Sequence, residues 1–352
     1  MAQLEVLPEW EAAARRFLES GGVTLLLGGV DTGKSTLSRY LIYRAFTAGE
    51  PAALVDLDLG QSHLGPPATL GLGLFPPRFP GDDGLFPEGL YFVGQTSPVG
   101  AILDVAVGCR SLVDLAGELG AARVVVNTCG LIHGPAALRL KRAKLELLRP
   151  RLILALEREG ELGPLLRALG NAEAETTMLL PVSGRAAGRP PEERRRYREE
   201  RFRQYFYQAR PLELPLGSFG WQGLPWGQGQ PLSEAELQST SEKLQNPVLY
   251  GEANDRLTVL LLAEPPQGDL GWVCGTAVQC LSWPDLEGQL AGLLDRTHRT
   301  LALGLILPSP WDQRVLTLLT PLPSSQASRV RFLRMGKMKL TPAGRELSCL
   351  LS

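Results

Sequence analysis

A glycine-rich stretch near the N-terminus carries the residue types of a phosphate-binding loop. Its glycines allow backbone N–H groups to converge on an anion, and a helix that begins beside them adds the positive end of its dipole. Lys34 can reach terminal phosphates, and Ser35 or Thr36 can offer a hydroxyl oxygen to Mg²⁺. We therefore predict that a nucleoside triphosphate, ATP or another, binds to Gly28, Gly29, Val30, Asp31, Thr32, Gly33, Lys34, Ser35 and Thr36.

Two acids lie at the end of the next apolar run along the chain, residues 52–57. Asp56 and Asp58 share a face if this run is a strand, and Asp58 is the nearer to its carboxyl end. A carboxylate there can bind Mg²⁺ through water or accept the proton of an attacking hydroxyl. We predict that Asp58 is the general base or metal-associated acid. An aspartate that merely ends a strand is the alternative, and it applies more strongly to Asp56.

An arginine-rich segment, residues 184–207, contains the candidate cations for phosphoryl transfer. Between 185 and 203 there are eight Arg and four Glu, and Arg194, Arg198 and Arg201 recur at helical spacing. Such a segment can close over a transferring phosphoryl group as a lid, so we predict catalytic roles for Arg194 and Arg198. A solvated helix with Glu–Arg pairs is the alternative. The chain has no N-K-x-D guanine-reading motif, which favours a kinase over a switch GTPase.

Apolar runs that alternate with helical patterns predict an α/β fold, in which helices flank a parallel sheet. The run that ends at Asn127 carries no acid, unlike the run before Asp58. We predict that residues 59–89 form a long irregular segment that interrupts this alternation. Composition predicts a kinase domain over 1–207 with its lid at about 184–207, a linker over 208–247, and a smaller β-rich domain over 248–352 with one helix near 285–295.

Bulk composition limits the classes of function. The formal net charge is −1, so any nucleic-acid footprint must be a local patch. No apolar run reaches the ~18 residues of a membrane span, and the first residues lack the pattern of a signal peptide. The five cysteines form no C-x-x-C pair, and the three histidines are too dispersed for a zinc site. These features predict a cytoplasmic protein with no membrane partner.

The chain resembles the polynucleotide 5′-hydroxyl kinases related to the RNA-kinase subunit of the eukaryotic mRNA 3′-end cleavage complex and to the pre-rRNA-processing kinases. It looks most like their shorter archaeal-type members. The motifs that carry the resemblance occur in family order within roughly residues 20–207. They are residues 28–36, 56–62 with 65–67, 91–98, 127–132 and 194–207.

The resemblance implies ATP- and Mg²⁺-dependent phosphorylation of a 5′-hydroxyl end of RNA or DNA. It implies that Ser35 and Asp58 lie at the metal, and that Gln61 lies near the metal or acceptor. The loop with Thr96 and Ser97 would lie near the nucleic acid. One departure from the family is Leu131, which stands where eukaryotic members have a tryptophan that stacks on the nucleic acid.

A second basic stretch follows the loop that begins at Thr128, which we also predict to face the acceptor. Arg139 and Arg142 lie in it, together with Lys141 and Lys144, and such side chains could hold a phosphate backbone. Long side chains that cover a helix surface are the alternative.

Two other classes of function remain open from the sequence. One is a nucleotide-regulated assembly or binding factor with slow NTPase activity, which would use the β-rich domain as its contact surface. The other is a small-molecule kinase, which would need a tight concave acceptor pocket.

Overall fold

The computed structural model describes residues 6–75, 87–170, 177–186, 188–223, 225–267, 272–273 and 276–347. It divides into two compact units, Met1–Arg201 and Phe202–Ser352. Within the described residues no helix is long and apolar enough to cross a membrane. The helices are α1 (Pro8–Ser20), α2 (Lys34–Thr47), α3 (Ile102–Glu118), α4 (Gly134–Leu148), α5 (Gly163–Ala168), α6 (Pro191–Phe206) and α7 (Glu234–Leu244).

The first unit is built on a seven-stranded sheet with the order β4-β3-β2-β5-β1-β6-β7. Strands β2, β5, β1, β6 and β7 run parallel, as predicted, whereas β3 runs antiparallel to both of its neighbours. The strands are β1 (Gly22–Gly28), β2 (Ala52–Leu57), β3 (Thr69–Phe75), β4 (Gly89–Phe92), β5 (Arg123–Thr128), β6 (Leu152–Glu157) and β7 (Thr177–Pro181).

Helices cover both faces of this sheet, which explains why its central strands are mostly apolar. On one face, side chains of α3, α4 and α5 join a core that includes Leu25, Val55 and Val126. On the other face, Trp10 and Phe17 of α1 pack with side chains of α2. The predicted α/β class is therefore confirmed.

Strand β3 lies inside the segment that composition predicted to be irregular, and that part of the prediction is wrong. Its Gly71 and Gly73 weaken the local strand signal. The structure shows why Gly71 is there: a Cβ at this position would lie 2.2 Å from the carbonyl oxygen of Leu64. Residues 76–86 of the same segment lie outside the described residues.

The second unit contains two sheets. Their orders are β10-β11-β12-β14-β13 and β19-β18-β15-β16-β17-β8, and β9 pairs with β18. The strands are β8 (Arg210–Pro215), β9 (Gly220–Gln222), β10 (Gln230–Pro231), β11 (Val248–Ala253), β12 (Leu257–Leu262), β13 (Trp272–Val273), β14 (Thr276–Ser282), β15 (Gln289–Leu294), β16 (Thr300–Ile306), β17 (Val315–Thr320), β18 (Phe332–Leu340) and β19 (Glu346–Leu347).

Two local expectations in this half of the chain differ from the structure. Residues 208–247, expected as a linker, contain β8, β9, β10 and α7. In β8, Leu212 and Leu214 alternate into the core. The helix expected near 285–295 is wrong: Trp283–Leu286 is a 3-10 helix, and β15 follows it. All six residues of β15 are buried, and a strand covered on both faces has no alternation to distinguish it from a buried helix.

Three of the cysteines, Cys109, Cys129 and Cys280, carry free thiols. The other two, Cys274 and Cys349, lie outside the described residues.

We expect alanine substitutions at the two glycines of α3 to have opposite effects on the free energy of unfolding. A Cβ at Gly108 would lie 2.5 Å from Cδ1 of Tyr91, whereas nothing lies within 4 Å of a Cβ at Gly117. We expect Gly108→Ala to lower the free energy of unfolding by about 1–3 kcal/mol through overpacking. We expect Gly117→Ala, the matched control, to raise it by about 0.5–1 kcal/mol through helix propensity. Urea unfolding of both variants measures the difference, and equal effects would contradict the packing of α3 on the sheet.

Candidate active site

The candidate site lies at the carboxyl ends of three neighbouring parallel strands. Strand β5 lies between β1 and β2, and Asp56 is paired with Asn127 across the sheet. The glycine-rich loop follows β1, Asp56 and Asp58 flank the last residue of β2, and Asn127 is the last but one residue of β5. Ligands of parallel sheets bind at this edge, so strand order brings together groups that are up to a hundred residues apart.

The glycine-rich loop has the strained backbone of a phosphate cradle. Asp31 has φ of 54° and Gly33 has φ of 89°, both in the left-handed region, and α2 begins at the next residue. Lys34 is buried, and its Nζ donates to the carbonyl oxygen of Gly29 and, at 3.4 Å, to Oγ1 of Thr32. Burial lowers the pKa of Lys34, while the nearby carboxylate of Asp58 opposes that shift.

The buried carboxylate of Asp56 accepts hydrogen bonds from neighbouring segments at this edge of the sheet. Its Oδ1 accepts from Nδ2 of Asn127 at 3.0 Å and from the backbone N–H of Asp58 at 3.2 Å, and its Oδ2 accepts from the N–H of His63 at 2.7 Å. Burial, with the neighbouring Asp58 charge, raises the pKa of Asp56 to about 6. Its role in fixing the loop around Asp58 was not predicted from the sequence.

Asp58 is held with one carboxylate oxygen engaged by its own loop. Its Oδ1 accepts from the N–H groups of Gly60 and Gln61, at 3.1 and 3.0 Å, and among the described residues no hydrogen bond reaches Oδ2. A Cβ at Gly60 would lie 3.3 Å from the carbonyl oxygen of Thr96, so the Thr96–Ser97 loop borders this carboxylate. Thr96 is half-buried and Ser97 is exposed. The arrangement suits a base that faces an incoming hydroxyl.

The groups around Ser35 fit a magnesium ion. Nδ2 of Asn127 donates to Oγ of Ser35 at 3.1 Å, and Oδ1 of Asn127 is buried without a hydrogen-bond partner among the described residues. A metal-bound water would satisfy that acceptor. Those residues include no group of three or more His, Cys, Asp or Glu placed to hold a metal ion. Mg²⁺ suits such a site because substrate phosphates and waters supply most of its ligands.

The predicted lid residue Arg194 lies against the glycine-rich loop. Its Nη2 donates to Oδ2 of Asp31 at 2.7 Å, and the N–H of Arg189 donates to the same oxygen at 3.1 Å. Gln61 contacts the same two arginines. Its Nε2 donates to the carbonyl oxygen of Arg194 at 3.4 Å, and its Oε1 accepts from Nη1 of Arg189 at 3.2 Å. The structure therefore brings Asp31, Gln61 and Arg194 together.

The next turns of α6 fasten it to the loop after β2. The hydroxyl of Tyr197 donates to the carbonyl oxygen of Ser62 at 2.8 Å, and Nη2 of buried Arg201 donates to that of Gly65 at 3.1 Å. Arg201 thus holds the helix in place. Arg198, the second predicted catalytic arginine, is half-buried on the same helix.

Arg158 is a cation at this site that sequence reasoning missed. Its Nη2 donates to the carbonyl oxygens of Asp31 and Ala186, at 2.8 and 3.3 Å. It directly follows β6, the neighbour of β1 in the sheet. The only signal in the sequence was a basic residue just past the end of an apolar run.

The loop after β5 has a different role from the one predicted for Thr128. Thr128 is fully buried, and its Oγ1 donates to the carbonyl oxygen of Leu26 at 2.7 Å and accepts from Nζ of Lys141 at 2.8 Å. This threonine supports the loop instead of facing an acceptor. A Cβ at Gly130 would lie 2.7 Å from Cα of Val30, so the loop packs tightly on the phosphate cradle.

The second basic stretch divides into buried and exposed side chains on α4. Lys141 and Lys144 are fully buried, at helical spacing with buried Leu148, and cannot form a phosphate-binding surface. Burial lowers the pKa of Lys141 to about 7. Arg139 and Arg142 are exposed, but Arg142 pairs with Glu146 one turn further from the site, at 3.4 Å.

A family model and several named relatives match this chain. The family model described as mRNA cleavage and polyadenylation factor CLP1 P-loop matches residues 28–208. A "Polyribonucleotide 5'-hydroxyl-kinase" of Pyrococcus furiosus is 31% identical, over 98% of this chain and 96% of the relative. One of Pyrococcus horikoshii is 29% identical, over 95% and 90%. "Polyribonucleotide 5'-hydroxyl-kinase Clp1" of Xenopus tropicalis is 31% identical over 59% of this chain and 49% of its own length.

One solved structure shares the fold. It is described as "wild-type Clp1p-Pcf11p" complex, and it superposes with a TM-score of 0.63 over 94% of this chain and 79% of that one, at 13% sequence identity.

The raised pKa of Asp56 predicts that its contribution to the stability of the fold falls as the pH rises. Because its pKa is raised to about 6 in the folded chain, from an ordinary value of 3.8, the folded state holds its proton more tightly. Asp56 therefore stabilises the fold less as the pH rises from 4 to 7, by up to about 3 kcal/mol. The difference in unfolding free energy, wild type minus Asp56→Asn, should fall by this amount over that range in urea titrations. A difference that stays constant or rises would contradict the buried position of Asp56.

Proposed function

The chain belongs to the CLP1 P-loop family, and from that premise we propose that it is an ATP-dependent kinase of polynucleotide 5′-hydroxyl ends. The observation that carries the proposal is the position of Asp58. Its Oδ1 is held by the loop and its Oδ2 accepts no hydrogen bond from the described residues, while its charge acts on Lys34 of the phosphate cradle, which Arg194 contacts through Asp31. A base beside the cradle is the arrangement that phosphoryl transfer to an alcohol needs.

In the proposed reaction, the 5′-oxygen of the acceptor attacks the γ-phosphorus of ATP in line with the leaving oxygen. The new P–O bond forms, the bond to the β–γ bridging oxygen breaks, and ADP leaves. Oδ2 of Asp58 takes the proton of the attacking hydroxyl, while its Oδ1 stays fixed by Gly60 and Gln61. The loop geometry thus orients the base before the acceptor arrives.

Cations of this chain stabilise the charge that spreads over the transferring group. Lys34 exchanges its contact with the carbonyl oxygen of Gly29 for phosphate oxygens, which bind an ammonium more strongly. Asp31 holds the guanidinium of Arg194 at the rim of the cradle, and Arg158 braces the same turn through the carbonyl oxygen of Asp31. We infer that Asp31 positions the lid, and that closure of α6 excludes water from the γ-phosphate.

Mg²⁺ is the proposed metal, held through Ser35, with Asp56, Asp58 and Asn127 ordering its waters. When bound, it neutralises charge on the β- and γ-phosphates.

RNA is the proposed acceptor, because the archaeal relatives that match most of this chain are named polyribonucleotide kinases. The Thr96–Ser97 loop borders Asp58 and is proposed to hold the terminal nucleotide, whereas Arg142 lies further along α4 and pairs with Glu146. A role of Arg139 in holding the backbone stays a prediction.

The first test removes the two groups on which the chemistry depends. Lys34→Ala and Asp58→Asn should each reduce transfer of labelled γ-phosphate from ATP to a 5′-hydroxyl RNA by at least about a hundredfold. Lys243→Ala, which changes an exposed lysine of α7, is the control and should keep full activity. Substantial transfer by Asp58→Asn would contradict its role as base. Phosphorylation of a small alcohol but of no oligonucleotide would indicate a small-molecule kinase instead.

The second test separates a catalytic lid arginine from a solvated one. Arg194→Ala should lower kcat by about a thousandfold, the lower end of the range for an arginine at a transferring phosphoryl, with a smaller change in the KM for ATP. Arg195→Ala removes an exposed neighbour on the same helix and should leave kcat near the wild-type value. Steady-state kinetics with saturating RNA measure both. Equal losses in the two variants would show that α6 contributes only general charge.

A further inference from the structure

The second unit carries a strongly basic patch at one end of its larger sheet. The turn 295–299, between β15 and β16, lies beside residues 328–332, since the N–H of Arg331 donates to the carbonyl oxygen of Leu294 at 2.8 Å. Leu294 in turn pairs with Phe332 and with Thr300. We call this surface the basic patch, and its arginines are Arg296, Arg299, Arg329, Arg331 and Arg334. All but Arg334, which is half-buried, are exposed.

A histidine ring forms a flat platform within the patch. The exposed ring of His298 stacks on Phe332, with ring centroids 4.4 Å apart and planes 18° from parallel. Its Nδ1 lies 3.0 Å from Nε2 of Gln222, and the guanidinium of Arg334 donates to Oε1 of the same glutamine at 3.2 and 3.3 Å. Gly220 packs on the Phe332 ring, where a Cβ would lie 3.0 Å from Cδ1. The ring of His298 is therefore fixed before any ligand arrives.

The patch contains far fewer acids than arginines. Oδ1 of Asp295 accepts from the N–H and hydroxyl of Thr297, at 2.8 and 2.7 Å, and from the N–H of Arg299 at 3.1 Å. Partial burial is outweighed by these hydrogen bonds and by Arg329, so the pKa of Asp295 is lowered and it stays ionised. Within the described segments 294–300 and 328–334, the sequence thus has one carboxylate and five guanidinium groups, in a chain whose net charge is −1.

We propose that the basic patch binds single-stranded RNA downstream of the 5′ end, with one base stacked on the ring of His298 and the arginines on the flanking phosphates. This inference rests on the proposed function, and it adds a second contact remote in sequence from the kinase motifs. A basic surface interleaved with a preformed ring is the chemistry that single-stranded nucleic acid requires, because every base has a face that can stack. The described residues of the patch include no exposed aliphatic side chain of the kind that an amphipathic membrane anchor needs.

Two variants of the full chain test the stacking and the charge separately. His298→Asn removes the ring, and asparagine tolerates the φ of 62° at this position. Arg296→Gln/Arg329→Gln removes two charges. The fluorescence anisotropy of a labelled RNA of about 20 nucleotides should report a Kd raised at least about tenfold in each. In the double variant the slope of log Kd against log salt should fall by about 0.7 for each phosphate that the protein no longer neutralises.

Kinase kinetics on two RNA lengths distinguish this patch from the catalytic site. The KM for the RNA of about 20 nucleotides should rise in both variants, whereas kcat, and the KM for an RNA of about 3 nucleotides, should not change. Arg256→Gln, an exposed arginine on the β11–β12 turn, is the matched control and should behave as wild type.

Three outcomes would overturn the inference. One is an unchanged Kd in both variants, and another is an equal loss of affinity in Arg256→Gln. The third is binding of phosphatidylserine vesicles that depends on the patch while RNA binding does not. The anisotropy measurement needs no turnover. A protein that binds RNA through the basic patch but phosphorylates no RNA would therefore contradict the proposed function and still support RNA binding by the patch.

Discussion

The site depends on one buried carboxylate. Asp56 lies in the interior of the sheet edge, where an ionised carboxylate is costly, and hydrogen bonds from the loop after β2 and from Asn127 compensate that cost. The same bonds set the path of the backbone that carries Asp58. Through Asn127 they extend to Ser35 at the start of α2. Asp58, the Ser35 hydroxyl and the phosphate cradle are thereby positioned by a single network, in which each group acts through its neighbours.

Helix α6 contacts this network from the other side of the cradle. Asp31 holds the Arg194 side chain and the Arg189 backbone, and Gln61, which lies three residues after Asp58, contacts both arginines. If α6 closes as the proposed lid, a change at the triphosphate would reach it through these contacts. Gly130 packs against Val30 from the β5 side, so movement of the cradle is limited there.

Spacing along the chain was enough to single out the phosphate cradle, Asp58 and Arg194 as candidates, and the structure places Arg194 against the cradle. Their catalytic roles stay predictions. Local patterns did not reveal the contacts of Asp56, Asn127 and Arg158, because these contacts depend on strand order, which no local pattern specifies. The sequence left the role of Lys141 open, because a buried lysine and an exposed one look alike unless the apolar face of the helix is traced. Strand β15 was missed because full burial removes alternation.

We propose above all that Asp58 directs the γ-phosphate to an alcohol instead of to water. The most direct measurement is the ratio of 5′-phosphate formed to ATP consumed, with matched RNA and DNA 5′-hydroxyl oligonucleotides and each of the four nucleoside triphosphates. We expect one 5′-phosphate for each ATP consumed in the presence of RNA, and little ATP consumption without an acceptor. Slow ATP hydrolysis that is unchanged by RNA and yields no 5′-phosphate would contradict a kinase and indicate a nucleotide-regulated assembly factor.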